Sequence, residues 1–232
     1  MDGDEQYLAL PLSIQHLAFS KRSFNVGLVN ARFHQLELVS GIQVLRLQSA
    51  DRTNRLSRSC VLELTAAIRA LAREARPLIV AGNHKFFSAG AELSEIGALS
   101  GPAAYKFSKM GQDLMNSVAT FPATVYAAIE GYCMGGGLDL ALACQHRISS
   151  PHAIFGHRGA ALGLITGWGG TQRLPRIVGK AKALEMFVAA EKLHAAEALR
   201  IGLVHAVVQD PVGHALRLAA EKTEADSSLC SE

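Results

Sequence analysis

The sequence predicts an α/β fold built on a parallel sheet with crossover helices. Between residues 41 and 156, short apolar runs alternate with stretches of helical period, the order that repeated strand–helix units produce. Two of those runs, "PLIVAG" and "TVYAAIE", are each followed by a glycine-containing loop. Open parallel sheets present ligands with the carboxyl ends of their strands at such loops. The bulk numbers agree: 232 residues, 49% of them hydrophobic and 19% charged, suffice for a sizeable core and do not describe a disordered chain.

The elements follow in order. "SIQHLAFS" (13–20), "SFNVGLVN" (23–30) and "HQLELVS" (34–40) each read as a half-buried strand. "GIQVLRLQS" (41–49) continues that pattern, with Gly41 as a tight turn between two strands. After Asn54 the period changes, and Val61, Leu64, Ile68, Leu71 and Ala75 recur at helical spacing. Pro77 ends that helix, and residues 77–82 form a short buried strand. "FFSAGAELSEI" reads as a loop entering a helix. Pro102 opens a long helix that Pro122 closes, residues 124–130 form another buried strand, and a helix starts near Leu138. Beyond Gly169 the chain reads as helical or turn-like, with one short strand near 204–208 and a helix over 211–223. The tail "TEADSSLCSE" reads as a frayed polar end. Whether the helices after about residue 165 form a second domain or cover the sheet stays open at this level.

Composition narrows the function classes. A net charge of +3 with acids and bases interspersed argues against nucleic acid, although a local basic patch for a phosphorylated ligand is compatible with it. The start, "MDGDEQYLAL", lacks the basic flank of a secretory signal. No apolar run approaches the roughly 18 residues of a membrane helix. The expectation is a cytoplasmic protein without a membrane partner. Four cysteines show no C-x-x-C spacing, and three sit in apolar contexts that suit small buried hydrophobes. His152 and His157 have no acidic or cysteine partner at metal-ligand spacing, so no metal is expected.

The loops carry the chemistry. Gly90 and Ala91 follow one strand; Gly135, Gly136 and Gly137 follow the next. Glycine permits positive φ and close approach of a ligand to the backbone. A helix starting at such a loop leaves unpaired N–H groups and a positive dipole end. Two such loops side by side could aim two amides at one oxygen, an oxyanion hole in which each donor is worth roughly 3 kcal/mol. A tight strand-to-helix turn with no ligand is the competing reading. The phosphate-cradle patterns are absent, and Ser88 lacks the first glycine of a nucleophile elbow. Asp139, alone in the run "LDLALA", reads either as an acid/base group or as an aspartate stabilised by the dipole of a first helical turn.

The ordered set "FFSAGAELSEI", "AAIEGYCMGGGLDLALACQHRISS" and "FGHRGAALGLITGWGGTQRLPRIVGKAKALEM" resembles the enoyl-CoA hydratase/isomerase (crotonase) superfamily. "RLQSADRTNRLS" also resembles that family's segment after its first strand pair, and the match covers roughly residues 35–210. The resemblance implies a crotonase-like spiral of β-β-α units with a short helical C-terminal region. It divides the chain into an N-terminal extension or extra strands (1–34), a core (35–210) and a C-terminal helix with polar tail (211–232). It implies an acyl-CoA thioester as substrate, coenzyme A entering only as part of it, and no separate cofactor. An enolate oxyanion would sit on the amides of Ala91 and Gly136, with Gly90 and Gly135 lining the same loops and Asp139 as acid/base. Arg52 and Arg55 would lie over the nucleotide end, where they could pair with its phosphates or be ordinary solvated arginines. A homo-oligomer, trimer or hexamer, is implied as well.

The sequence departs from the family where a second acid is expected. Gly159 stands at the position of the hydratase and isomerase glutamate, and Gly167 at that of the dienoyl-isomerase aspartate. His157 and Arg158 lie just upstream, and either could face the acyl pocket or serve a structural role. Trp168 reads as a wall or packing residue; Gln172 and Arg173 match a motif that places a helix. The C-terminal side is shorter than the family's usual helical region. The leading expectation is a hydratase/isomerase-type enzyme; the alternative is a catalytically silent protein of this fold that binds acyl-CoA or only its own subunits.

Overall fold

The computed structural model describes residues 28–229. The expected strand at 13–20 and most of the one at 23–30 lie outside that range. The described elements run in the order β1 (Val29–Asn30), β2 (His34–Val39), β3 (Ile42–Leu47), β4 (Arg55–Leu56), α1 (Arg58–Leu71), β5 (Leu78–Ala81), β6 (Phe86–Ser88), β7 (Gly90–Ala91), α2 (Leu93–Gly97), α3 (Gly101–Ala119), β8 (Val125–Ile129), β9 (Tyr132–Met134), α4 (Gly136–Ala143), β10 (His146–Ser149), β11 (Ile154–Gly156), α5 (Gly170–Val178), α6 (Lys180–Ala189), β12 (Leu193–His194), α7 (Ala195–Arg200), β13 (Ala206–Val207) and α8 (Pro211–Leu229). Short 3-10 turns at Ala72–Glu74 and Gly159–Leu162 complete the set.

The strands divide between two main sheets. The larger has the order β1-β2-β3-β5-β8-β10-β13, antiparallel across β1, β2 and β3 and parallel from β3 onward. The smaller has the order β12-β11-β9-β6, with β6, β9 and β11 parallel. Each turn of the chain therefore leaves one strand in the large sheet and the next in the small one: β5 then β6, β8 then β9, β10 then β11. That is the expected spiral of β-β-α units.

Local chemistry accounts for the elements. Ser40 and Gly41 both take positive φ, 50° and 81°, so a two-residue turn joins β2 to β3 in the register Val39 to Ile42. Ser57 caps α1, its hydroxyl accepting from the Cys60 N–H at 3.3 Å. Helix α1 stops before Pro77, through the 3-10 turn and Ala75 at φ 49°. Pro102 lies in the first turn of α3, as its fixed φ favours.

Three expectations are corrected. Residues 86–91 are not simply a loop into a helix: Phe86–Ser88 and Gly90–Ala91 are strands, and the helix after them is only Leu93–Gly97. Strands of two or three residues have no measurable period and exist because β9 and β4 pair with them. The helix after the three glycines starts at Gly136, earlier than Leu138. The tail is not frayed from Thr223, because α8 continues to Leu229.

Alternation along the large sheet sorts its side chains into two cores. Leu45, Leu47, Leu78, Val80, Val125, Ala127 and Ile129 face the small sheet and helices α1, α3 and α4. Ile42, Val44, Ile79, Ala81, Tyr126, Ala128 and Ile148 face the other way and are covered by Ala215 and Ala219 of α8. The last helix therefore seals the sheet. Buried free cysteines 60, 133 and 144 fill space, and burial pushes the thiols of Cys60 and Cys144 up to about 12. Among the described residues no helix is long and apolar enough to cross a membrane, and no cluster could hold a metal ion.

Ala219 is fully buried against the sheet. Replacing it with phenylalanine should destabilise the protein by about 1–3 kcal/mol through overpacking, read as a lower urea midpoint. Glu221→Ala, at an exposed position of the same helix, should leave the midpoint within about 0.5 kcal/mol of its original stability.

Candidate active site

The two glycine loops lie shoulder to shoulder. A Cβ added at Gly90 would stand 2.6 Å from the Met134 carbonyl oxygen and 3.1 Å from the Gly136 nitrogen. One added at Gly136 would stand 3.3 Å from the Ala91 nitrogen. Gly90 has φ 92°, so glycine is required there for conformation as well as for space. Each loop is pinned from behind. The Gly90 N–H donates to Ser88 Oγ at 3.1 Å, and the Ser88 hydroxyl donates to the Asn54 carbonyl at 2.7 Å. The Asn54 amide donates to the carbonyls of Phe86 and Phe87. The Gly135 N–H donates to the Gly156 carbonyl at 2.9 Å. Gly90 and Gly135 thus direct their own N–H groups into the protein. The Gly136 amide, at the first position of α4, has no intrahelical acceptor.

Asp139 sits one helical turn further into α4 and is fully buried. Its carboxylate accepts the Thr166 hydroxyl at Oδ2, with the Gly170 backbone and the Arg173 charge nearby. Desolvation outweighs all three and pushes its carboxyl up to about 7. Its Oδ1 lies 3.4 Å from His157 Nε2, and neither atom has a hydrogen-bond partner. His157 is itself buried, with its ring 5.1 Å from that of Phe187, and burial pulls its imidazole down to about 4. Both groups are therefore neutral around pH 6: a carboxylic acid beside an uncharged imidazole. Gly170 makes the convergence possible, since a Cβ there would collide with Asp139 Oδ1 and stand 3.0 Å from His157 Nε2.

Trp168 is buried over the second glycine loop. Its indole donates to the Phe107 carbonyl at 3.3 Å and lies against Gly136, where an added Cβ would stand 2.6 Å from Cζ3. Helix α3 holds the loop that carries it: the Gln112 amide donates to the Gly167 carbonyl at 2.9 Å, and Arg173 bridges the Trp168 carbonyl and Asn116. A side chain at Gly159 would meet backbone, whereas one at Gly167 would meet only a serine hydroxyl. A Cβ at Gly159 would stand 2.7 Å from the Leu164 carbonyl oxygen, and one at Gly167 2.8 Å from Ser108 Oγ. Two surface grooves, one beside Arg69 and Asn116 and one beside Pro77 and Lys222, lie away from the glycine loops.

Of the residues singled out in the sequence, Gly90, Ala91, Gly135, Gly136, Asp139 and His157 come together. Arg158 is exposed. Arg52 and Arg55 lie on the turn into β4; Arg55 is engaged by Glu92 at 3.4 Å and Asp51 at 4.0 Å, and Arg52 is exposed. Sequence reasoning gave no role to Thr166 or Gly170, and saw Arg173 only as a helix-placing residue. Nothing in a stretch such as "GLITGWGG" marks a threonine that bonds an acid 27 residues earlier.

Comparison with known proteins shows the family. A family model described as enoyl-CoA hydratase/isomerase matches residues 37–230. A Bacillus subtilis (strain 168) protein described as "Probable enoyl-CoA hydratase" is 41% identical over 160 residues, 68% of this chain and 62% of that protein, so the match spans under two thirds of the relative. A crotonyl-CoA hydratase of Syntrophomonas wolfei is 37% identical over 177 residues, covering 75% of this chain and 68% of its own. The solved structure of Pseudomonas aeruginosa DspI superimposes with a TM-score of 0.80 at 33% identity, over 88% of this chain and 84% of that one.

The buried pair should leave a signature in stability. Between about pH 4 and pH 6.5 the folded pair holds one proton, on Asp139; the unfolded pair also holds one, on His157. Their contributions oppose and nearly cancel. In His157→Gln only the raised acid remains, so stability should fall relative to wild type as pH rises from about 4 to 7, at roughly 1.4 kcal/mol per pH unit. In Asp139→Asn only the depressed imidazole remains, so stability should instead rise with pH from about 4 to 6.5 at a similar slope. Denaturant unfolding of the three proteins across that range reads both slopes.

Proposed function

The chain belongs to the enoyl-CoA hydratase/isomerase family, and from that premise we propose that it processes acyl-CoA thioesters. The main-chain N–H groups of Ala91 and Gly136 hold the thioester oxygen, and Asp139 moves the proton. The observation that carries this reading is the approach of the two glycine loops beside a buried carboxyl one helical turn away. A thioester carbonyl enolises more readily than an ester or amide. Fixed backbone dipoles and the amino end of α4 lower the energy of the charge that develops on its oxygen. A carboxyl pushed up to about 7 is available near neutral pH both as acid and as base. With glycine at 159 and 167, the reaction is of the hydratase/isomerase type with Asp139 as its carboxyl. On this reading Arg52, rather than the carboxylate-bound Arg55, meets a CoA phosphate. Cytoplasmic residence and a homo-oligomer, trimer or hexamer, belong to the same reading.

A second reading has two observations in its favour: the Trp168 indole rests on Gly136, and a Cβ at Gly159 would meet the Leu164 carbonyl. It makes the protein an acyl-CoA binder without turnover. A chromatographic screen of enoyl-, hydroxyacyl- and malonyl-type CoA esters, with calorimetric titration of the same panel, separates the two. The enzyme reading expects turnover of at least one ester, a roughly hundredfold or greater loss of kcat in Asp139→Asn with binding retained, and a loss of roughly tenfold to hundredfold in Gly90→Ala, whose Cβ parts the loops. Binding with no turnover across the panel establishes the silent reading; no binding at all rejects both.

A further inference from the structure

Beyond the carboxyl itself, the site contains a second buried atom able to carry a proton. His157 Nε2 lies 3.4 Å from Asp139 Oδ1, each is buried, and each lacks a hydrogen-bond partner. Leaving two polar atoms of opposite proton habit facing each other unpaired in an apolar interior is costly unless a proton can join them. Two glycines occupy the positions where the family resemblance puts a further acid, so no other side chain there can hold a proton.

We propose that Asp139 and His157 form a couple that holds one proton between them, with His157 as the positioning residue that switches Asp139 between acid and base. This rests on the reading of Asp139 as the site's proton carrier. The step is an internal transfer. The Oδ1–H bond breaks, the Nε2–H bond forms, and each electron pair stays with its heavy atom, leaving carboxylate and imidazolium. The reverse transfer restores the neutral pair. Nothing is oxidised or reduced, and no proton is exchanged with bulk water. With the proton on Asp139 the couple presents an acid to the substrate; with the proton on His157 it presents a carboxylate base.

The surroundings suit a couple that works as a unit. Asp139 is bonded by the Thr166 hydroxyl and lies beside the Gly170 backbone, with the Arg173 charge from α5 and the Cys133 thiol from β9 at longer range. His157 is faced by the Phe187 ring from α6. Among the described residues, no carboxylate other than Asp139 is paired with His157. Thr166 fixes Oδ2, which leaves Oδ1 to the imidazole.

The test combines kinetics with a measurement that needs no turnover. Crotonyl-CoA turnover is followed from pH 5 to 9 in wild type, His157→Gln and His157→Asn; the imidazole nitrogens are followed by NMR in ¹⁵N-histidine-labelled wild type and Asp139→Asn. The couple expects kcat to fall roughly a hundredfold in either folded histidine variant with little change in KM, and the pH profile to shift. It also expects the His157 titration to move when Asp139 becomes asparagine. A histidine variant with wild-type kcat and pH profile overturns the proposal. So does a His157 titration that is the same with and without Asp139. If wild type turns over no ester, the proposed activity fails, and the NMR titration alone decides whether the couple exists.

Discussion

The site depends on one close approach: the backbone of Gly90 against that of Gly136. Any side chain at Gly90 meets the Met134 carbonyl, and any side chain at Gly136 meets the Trp168 indole. Two strand-to-helix loops from successive turns of the spiral can touch only because both are bare at the point of contact. The touching loops come from strands whose partners are distant in sequence. β6 and β9 pair in the small sheet, and β7 pairs with β4, so the approach is set by these two pairings rather than by the loops themselves. The buried network from Ser88 through Asn54 to Phe86 and Phe87 then holds the first loop in register. On the proposed reading, an amide pair held this way would need no reorganisation when charge develops in front of it, which is the condition under which backbone dipoles stabilise an oxyanion most.

The same architecture puts an acid where it is least comfortable. Asp139 follows Gly136 by one turn and is fully buried against Thr166 and His157, so the helix that offers its amide dipole also carries the carboxyl into the interior. Dipole, threonine, backbone amide and Arg173 all favour the charged form, yet desolvation wins. The imidazole beside it is subject to the same force in the opposite sense. Burial therefore makes the neutral pair the resting form and the carboxylate–imidazolium pair the higher-energy one. At an effective dielectric near 20 the attraction of two unit charges at this separation is only about 5 kcal/mol, which does not recover the several kcal/mol lost in dehydrating each ion.

Much of this was legible in the sequence, and the boundary has physical causes. β3, β5 and β8 are four to six residues long and flanked by turn signals or proline, so their apolar runs stand out; α1 and α3 show their period plainly. The glycine loops and the lone aspartate were visible because each breaks a local rule. The small sheet was not, since β6, β9 and β11 have three residues each and owe their conformation to one another. His157 could be noticed but not oriented. Its meeting with Asp139 depends on β11 lying beside β9 and on the absence of a Cβ at Gly170, neither of which leaves a mark in its own neighbourhood.

The glycines at 159 and 167 then take on a different meaning. In sequence they are simply missing acids. In the structure they lie on a segment whose backbone folds back on itself, with the Leu164 N–H donating to the Gly159 carbonyl at 2.8 Å, and whose far end is tied to α3 through Gln112. A side chain at Gly159 would have to push that segment outward, and with it Thr166 and Trp168, which the segment delivers to Asp139 and Gly136. A carboxylate at 159 would therefore disturb the present contacts of Asp139. The chain has kept the arrangement in which one buried acid is bonded by a threonine on one oxygen and faced by a histidine on the other.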